Sequence, residues 1–271
     1  MLSRLKVLDL LRQDLTKLIR LNSSAYSTIS ETNQTQTEYE GARMSAWQVH
    51  SYGGLEELQF SKHVRMPIIR HQHEVLVRVI ASSVNPIDVH MTNGYGNVML
   101  NALRQLETCS TAQDVELPLI MGRDFAGEVV AKGNGVTNLK IGDRVYGVVP
   151  VHQQGCHAQN VVVHSQYVRR KPDNVSIEEA ASVLYAALTA WSALRVTGDL
   201  WLLPAETKKV LVIGGSGGVG TAAIQMLKAW GTEVTTTCSS DAVQLVESLN
   251  ADHIIDYRRP DFIHELKSHG K

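Results

Sequence analysis

Three glycines in the C-terminal part of the 271-residue chain have the spacing G-x-G-x-x-G. The apolar run KKVLVIG precedes them and an apolar helical pattern follows, so the motif joins a buried strand to a helix. Such glycines let backbone N–H groups approach a pyrophosphate, and the helix N-terminus adds partial positive charge. A glycine-rich turn that binds nothing is the alternative. The predicted pyrophosphate contacts are Gly215, Ser216, Gly217, Gly218, Val219 and Gly220.

The segments around this turn predict a parallel sheet of the Rossmann type. Gly231 follows the helix, the run EVTTTC supplies a second strand, and NADHIIDY supplies a third. Only about 60 residues follow the first of these strands, enough for about three strands of a doubly wound sheet that has six. We therefore expect the second half of the sheet to be absent, as in a truncated isoform or a fragment.

The end of the second strand indicates which dinucleotide is bound. Enzymes that prefer NAD place Asp or Glu there to bond the ribose 2'-hydroxyl. Residues 237–240 instead read Thr-Cys-Ser-Ser, so Ser239 and Ser240, with Tyr257 nearby, are predicted to bind the 2'-phosphate of NADPH. Two observations leave an alternative open: either serine could be a helix N-cap, and Asp241 could reach the ribose.

Composition excludes several classes of protein. Lys and Arg number 26 against 27 Asp and Glu, and this balance gives no sign of nucleic-acid binding. No run approaches the roughly 18 apolar residues of a transmembrane segment. Three scattered cysteines are too few for a disulfide framework, so a reducing compartment is expected.

The first 40 residues differ in composition and residue spacing from the rest of the chain. Five basic residues and a leucine repeat at helical spacing predict an amphipathic basic helix, and a polar spacer follows it. Residues 1–40 are therefore predicted to be a mitochondrial targeting segment and spacer. A disordered or partner-binding helix is the alternative, because two aspartates interrupt the basic face.

Residues 44–175 show the short alternating runs of antiparallel strands. The stretch 97–116 interrupts them and is longer than an ordinary connection, which predicts either a functional lid or a disordered insert. Ser176 and Glu179 then form a capping-box pattern ahead of an alanine-rich helix.

Several separated motifs together resemble the medium-chain dehydrogenase/reductase family, in its quinone oxidoreductase branch. They are YGGLEELQF, VNPIDVHMTNGYG, LPLIMGRDFAGEVVAKG, GDRVYG, AASVLYAALTAWSAL, GGSGGVG and NADHIIDY, and they extend from Met44 to the C-terminus. The resemblance implies a mixed α/β fold: a chaperonin-10-like antiparallel β domain over 44–175 and a C-terminally incomplete Rossmann domain over 176–271. It also places Thr189 beside the cofactor.

The resemblance implies catalysis without metal. Zinc-dependent relatives use Cys and a His-Glu pair at positions where this chain has Asn85, Arg123 and Asp124. Arginine stays cationic and cannot ligate zinc, so no metal site is predicted, and an internal ion pair of Arg123 with Asp124 is expected instead. The neighbouring His71 and His73 are interpreted as exposed loop residues.

The chemistry implied by the resemblance is hydride transfer from NADPH to a quinone or a conjugated carbonyl. Asn85 is the candidate hydrogen-bond donor to the developing oxyanion, and Tyr95 is the candidate pocket wall or proton source. Structural roles compete for both, because Asn is common before proline in turns. The alternative function is a non-catalytic NADPH-binding scaffold with a membrane-associated, reticulon-like protein partner.

Overall fold

The computed structural model describes residues 41–108, 117–198, 200 and 208–269. The chain divides into two compact units, Met1–Ala181 and Ser182–Lys271. The predicted targeting segment lies outside the described residues, as does the end of the 97–116 insert. Within the described ranges, no helix is long and apolar enough to cross a membrane.

The N-terminal unit is built on antiparallel strands, as the alternating runs of its sequence predict. The strands are β1 Arg43–Val49, β2 Leu58–Arg65, β3 Glu74–Ser82, β4 Leu119–Ile120, β5 Asp124–Lys132, β6 Arg144–Val148, β7 Asn160–His164 and β8 Val168–Arg170. One sheet has the order β7-β3-β5-β6-β8 and a smaller one has the order β2-β1-β4. Val75, Val77, Phe125 and Val145 lie on the inner face of the larger sheet and are fully buried.

Two helices interrupt these strands, α1 Pro86–Thr92 and α2 Asn97–Thr108. Helix α2 forms the first part of the predicted insert. Its Leu100 is buried in a cluster with Val49 and Met91, and its Arg104 donates to the carbonyl of His152. Residues 97–108 therefore form a helix that packs against the N-terminal unit. This part of the predicted insert is thus not a disordered segment.

The C-terminal unit alternates helices and strands. The elements are α3 Ile177–Trp191, which crosses the boundary between the units, β9 Lys209–Ile213, α4 Gly218–Ala229, β10 Glu233–Cys238, α5 Val243–Ser248, β11 His253–Asp256 and α6 Phe262–His269. The three strands form a parallel sheet of order β11-β10-β9. Ile224 and Leu227 of α4 pack with Val234 and Val246 in one buried cluster.

Helix α3 begins with the predicted capping box. The Ser176 N–H donates to Glu179 Oε2 at 2.8 Å, and the Glu179 N–H donates to Ser176 Oγ at 3.1 Å. One antiparallel unit and one parallel unit confirm the predicted fold class. The remaining described helical segments are 3-10 turns at Leu55–Glu57, Ser165–Tyr167 and Ser240–Ala242 and a π-helical turn at Ser192–Thr197.

Candidate functional site: the glycine turn and its surroundings

The glycine turn, residues 214–220, joins β9 to α4 and is anchored on the neighbouring strand β10. The Gly215 N–H donates to the carbonyl of Thr237 at 2.8 Å, and the Gly214 N–H donates to Thr237 Oγ1 at 3.1 Å. Gly214 has φ of 77°, a conformation that glycine adopts without strain. The sequence therefore fixes the turn at the carboxyl end of the sheet.

Two glycines of the motif are required by packing within the protein. A Cβ on Gly215 would overlap Thr236 Oγ1, and a Cβ on Gly220 would overlap the carbonyl oxygen of Gly214. Both residues are buried. These two positions therefore let strand and helix approach each other closely, whatever the turn binds.

Gly217 and Gly218 are different because nothing in the protein crowds them. A Cβ would come no closer than 3.5 Å to Gly214 O at the first position and 3.6 Å to Ala186 Cβ at the second. Both are exposed, as is Val219. The first N–H groups of α4 have no partners within the helix, so they are available as donors at the end of the helix where these glycines lie. The turn thus fits a pyrophosphate, for which backbone donors and room beside them are needed.

Thr189 lies on α3, one helical turn after Ala186, the residue nearest the Cβ position of Gly218. Its side chain is exposed, and its hydroxyl donates to the carbonyl of Tyr185 at 2.7 Å. The hydroxyl oxygen keeps its acceptor capacity in that arrangement. The structure therefore brings Thr189 to the neighbourhood of the glycine turn.

The ribose end of the predicted site lies beyond β10 and β11. Ser239 is largely buried and is the N-cap residue of the short 3-10 turn, where its side chain makes no capping hydrogen bond. The N-cap residue of α5 is Ala242, so the alternative interpretation, in which one of the serines caps that helix, is wrong. Ser240 Oγ donates to Asp256 Oδ2 at 2.6 Å, and this bond lowers the pKa of Asp256. The partner of Ser240 was missed by sequence reasoning, although an Asp at the end of a third strand was visible in the motif NADHIIDY.

A second carboxylate and a cation flank these serines. Arg258 Nη1 lies 3.0 Å from Asp241 Oδ1 in an exposed ion pair, and a hydrogen bond from Ser239 lowers the pKa of Asp241. The Tyr257 N–H donates to the carbonyl of Cys238, which places Tyr257 beside the serines with 47% of its surface exposed. The structure thus brings Ser239, Ser240 and Tyr257 together, in a setting that holds both signs of charge.

Asn85, the first predicted catalytic residue, is held by a polar cluster in the N-terminal unit, formed by Ser83, Asn85, Asp88, Arg123 and Asp124. Asn85 Nδ2 donates to Asp124 Oδ2 at 3.0 Å and to Ser83 Oγ at 3.3 Å. Ser83 Oγ donates to the same Asp124 oxygen. Both amide hydrogens of Asn85 are therefore engaged, and donation to a ligand would require breaking one of these bonds.

Asp88 and Arg123 form the buried half of this polar cluster. Arg123 Nε lies 3.7 Å from Asp88 Oδ1, and the arginine donates to the carbonyls of Pro150 and Gln153. Asp88 also accepts from the Asn85 N–H, which completes the capping box of α1. Asp88 is thus an ion-pair partner of Arg123 that sequence reasoning missed, since only Asp124 had been considered.

No group of three His, Cys, Asp or Glu that could hold a metal ion occurs in the part of the chain that the structure describes. At the positions where zinc-dependent relatives hold the ion, Arg123 is fully buried and hydrogen-bonded. Burial also raises the pKa of the nearby Cys156 thiol to about 12, so this cysteine stays protonated.

Tyr95, the second predicted catalytic residue, lies beyond the C-terminal end of α1, whereas Asn85 caps its N-terminal end. Tyr95 is 64% exposed, and its ring lies against the His90 ring at a centroid distance of 5.8 Å. The structure thus places the two candidates at opposite ends of one short helix rather than side by side.

Two family models match the chain. The alcohol dehydrogenase GroES-like domain matches residues 71–174, in the antiparallel unit, and the zinc-binding dehydrogenase family matches residues 218–271, from the start of α4 onward. The second family's name refers to zinc, but its match begins after the positions of Asn85, Arg123 and Asp124.

Curated relatives extend over most of the chain. A Drosophila melanogaster protein, "NAD(P)H oxidoreductase RTN4IP1, mitochondrial", is 44% identical over 272 residues, which covers 93% of this chain and 65% of the relative. A Caenorhabditis elegans protein, "Reticulon-4-interacting protein 1, mitochondrial", is 41% identical over 228 residues, covering 84% of this chain and 60% of the relative. The chain thus spans less than two thirds of these relatives, and their names confirm the predicted mitochondrial location.

Solved structures give the same assignment. The quinone oxidoreductase of Coxiella burnetii is similar with a TM-score of 0.68 and 32% identity, covering 83% of this chain and 65% of that one. The Escherichia coli quinone oxidoreductase complexed with NADPH is similar with a TM-score of 0.64 and 26% identity, covering 83% and 62%. The chain therefore belongs to the medium-chain dehydrogenase/reductase family, in the group that resembles the quinone oxidoreductases.

Proposed function

We propose that the chain binds NAD(P)H at the glycine turn and acts as an oxidoreductase. The observation that carries the proposal is the open space at Gly217 and Gly218 in front of the free N–H groups of α4. Packing does not demand glycine at these two positions, whereas a bound pyrophosphate does. The names of the Drosophila and E. coli proteins agree with this cofactor class.

NADPH is the preferred form in this proposal. β10 ends in Cys238 rather than in an acid, and Ser239, Ser240 and Tyr257 follow within reach of one another. Arg258 supplies the cation that a 2'-phosphate needs, provided that it leaves Asp241. An exposed ion pair of this kind contributes little to the stability of a fold, so its exchange for a phosphate contact costs little free energy.

The proposed acceptor is a quinone or a conjugated carbonyl, reduced without a metal ion. NADPH supplies the hydride when bound, and the chain's own residues orient it and stabilise charge on the acceptor. Tyr95 is exposed and able to contact an acceptor. Asn85 remains a candidate donor only if an acceptor displaces Ser83 from its amide.

Fluorescence titration with NADPH and with NADH, followed by stopped-flow mixing with a short-chain quinone, tests the proposal. We expect tighter binding of NADPH, oxidation of the bound cofactor on mixing, and no effect of a chelator on either. If the chain bound neither NADPH nor NADH, the proposal would be contradicted. Loss of activity in the chelator would contradict its metal-free part.

A second candidate function is an NADPH-binding scaffold that contacts a membrane-associated, reticulon-like protein. The name of the C. elegans relative supports this candidate, and so does the engagement of both Asn85 amide hydrogens within the protein. Tight cofactor binding with no oxidation by any quinone or enone would favour the scaffold over the enzyme.

A further inference from the structure

The outer face of the ribbon formed by β1 and β2 carries cations and aromatic rings but no acid. Neither strand contains Asp or Glu over their 7 and 8 residues. The ribbon face, as we call this surface, consists of Arg43, Trp47, Phe60, Lys62, His63 and Arg65. All six of these residues are exposed.

Strand register explains why these side chains share one face. Trp47 pairs with Phe60, and their rings lie 5.3 Å apart between centroids. A register shift follows between Met44 and Ala46, so that Lys62 and His63 together lie opposite a single residue of β1. Such a bulge turns both side chains toward one side of the ribbon. The inner face meanwhile holds Met44 and Ala46, which are buried.

The cations of the ribbon face are not balanced by acidic side chains among the residues that the structure describes. Arg43 and Arg65 are direct cross-strand partners, an arrangement that destabilises a sheet when the charges are alike. Arg43 Nη1 donates to the carbonyl of His63, and none of the described acidic side chains forms an ion pair with Arg43, Lys62 or Arg65. An anionic partner would remove this repulsion.

The backbone of β2 offers a second means of recognition. In the sheet order β2-β1-β4, β2 lies at the edge, and its only strand partner in the described ranges is β1. An open strand edge presents unpaired N–H and C=O groups that an extended peptide can pair with. Cations flank this edge, and Phe60 is 50% exposed beside it.

We propose that the ribbon face binds an acidic, extended segment of a partner protein, which adds as a strand to the free edge of β2. Carboxylates at alternate positions of the segment would meet Lys62 and Arg65, and an apolar side chain would rest on Trp47 and Phe60. The open edge favours a peptide over a nucleic acid or an anionic membrane, because neither of those needs backbone hydrogen bonds from a strand. The site belongs to the N-terminal unit and does not depend on the proposed oxidoreductase activity.

A labelled synthetic peptide that alternates Glu with Val and contains one Phe is the probe. Fluorescence anisotropy with the full chain should show binding that weakens as salt rises. The double variant Lys62→Gln, Arg65→Gln should weaken binding by about tenfold, whereas Lys140→Gln, an exposed lysine of the same unit, should leave it unchanged. A peptide with Gln in place of Glu should not bind.

Hydrogen–deuterium exchange separates strand addition from simple attraction of charges. Bound peptide should slow exchange of the β2 amides, whereas binding without that protection would overturn the proposed geometry. Binding of oligothymidylate or phosphatidylserine vesicles, with none of the peptide, would assign the face to another class of partner and overturn the proposal. Binding by a chain that begins at Gly41, but not by the full chain, would show that residues 1–40 occupy the face and would overturn it equally.

Discussion

The polar cluster of the N-terminal unit and the glycine turn of the C-terminal unit use their hydrogen-bonding groups in opposite ways. In the cluster, Asn85 gives both amide hydrogens to protein acceptors, and Arg123 is covered by carbonyls and a carboxylate. In the turn, the exposed Gly217 and Gly218 stand before helix donors that have no partners in the helix.

This difference indicates where stability and where binding reside. Polar groups that are buried must be satisfied within the fold, and removing one member leaves another without a partner. Groups left open at a helix N-terminus cost little, because water satisfies them until a ligand arrives. We therefore expect substitutions in the polar cluster to change unfolding, and substitutions in the open part of the turn to change binding.

The largest expected effect tests the first half of this comparison. Arg123→Met removes the cation beside Asp88 and leaves a buried carboxylate without it, which should cost about 3–5 kcal/mol of unfolding free energy. Urea unfolding followed by circular dichroism measures this cost. Arg169→Met is the matched control, because Arg169 is exposed in the same unit, and it should change stability by less than about 0.5 kcal/mol.

Equal stability of the two arginine variants would show that the polar cluster does not hold the unit together. A fall in NADPH affinity larger than the fall in stability would contradict the division of roles as well, since it would give Arg123 a part in binding.

Gly217→Val tests the expectation that substitutions in the open part of the turn change binding. Gly217 has φ of −75°, which valine can adopt, and its Cβ would enter open space, so the C-terminal unit should remain folded. The side chain would instead fill the volume that a pyrophosphate needs, and NADPH affinity should fall by about a hundredfold or more. Calorimetry measures the binding and circular dichroism the fold.

Gly215→Ala is the useful contrast, because its Cβ would overlap Thr236 and should destabilise the unit itself. Normal NADPH binding by Gly217→Val would mean that the glycines of the turn serve packing alone. The turn would then not differ from the polar cluster in being a binding region.

Local patterns made the C-terminal site predictable. The glycines, the strands and the helix around them are neighbours in sequence, so period and spacing were enough to place the glycine turn between β9 and α4. The capping box at Ser176 was predictable for the same reason.

Contacts between distant segments were not predictable. Asp88 and Arg123 lie 35 positions apart in the chain and meet where the Gly122 N–H also donates to Asp88. The Ser240 bond to Asp256 requires the parallel pairing of β10 with β11, and the ribbon face requires a bulge that no composition reveals. Helix α2 was ambiguous because its docking depends on Leu100 and Arg104 finding partners far along the chain.

The smallest expected effect lies at the ribose end of the predicted site. The charges there are exposed, so their removal is expected to change binding only slightly. Asp241 is paired with Arg258, and both side chains are more than half exposed. Asp241→Asn removes a negative charge from the neighbourhood of the 2'-phosphate and releases Arg258 to contact it. NADPH affinity should therefore rise about threefold to fivefold, while NADH affinity should change by less than about twofold.

Asp261→Asn is the control for this change, because Asp261 forms an equally exposed pair with Arg259. Fluorescence titration at low and at high salt measures the effect, and the gain for NADPH should shrink at high salt because exposed charges are screened. An equal gain for both cofactors would mean that Asp241 acts on the shared part of the dinucleotide. A loss for NADH alone would instead identify Asp241 as the acid that bonds the ribose, and NADH would then be the preferred cofactor.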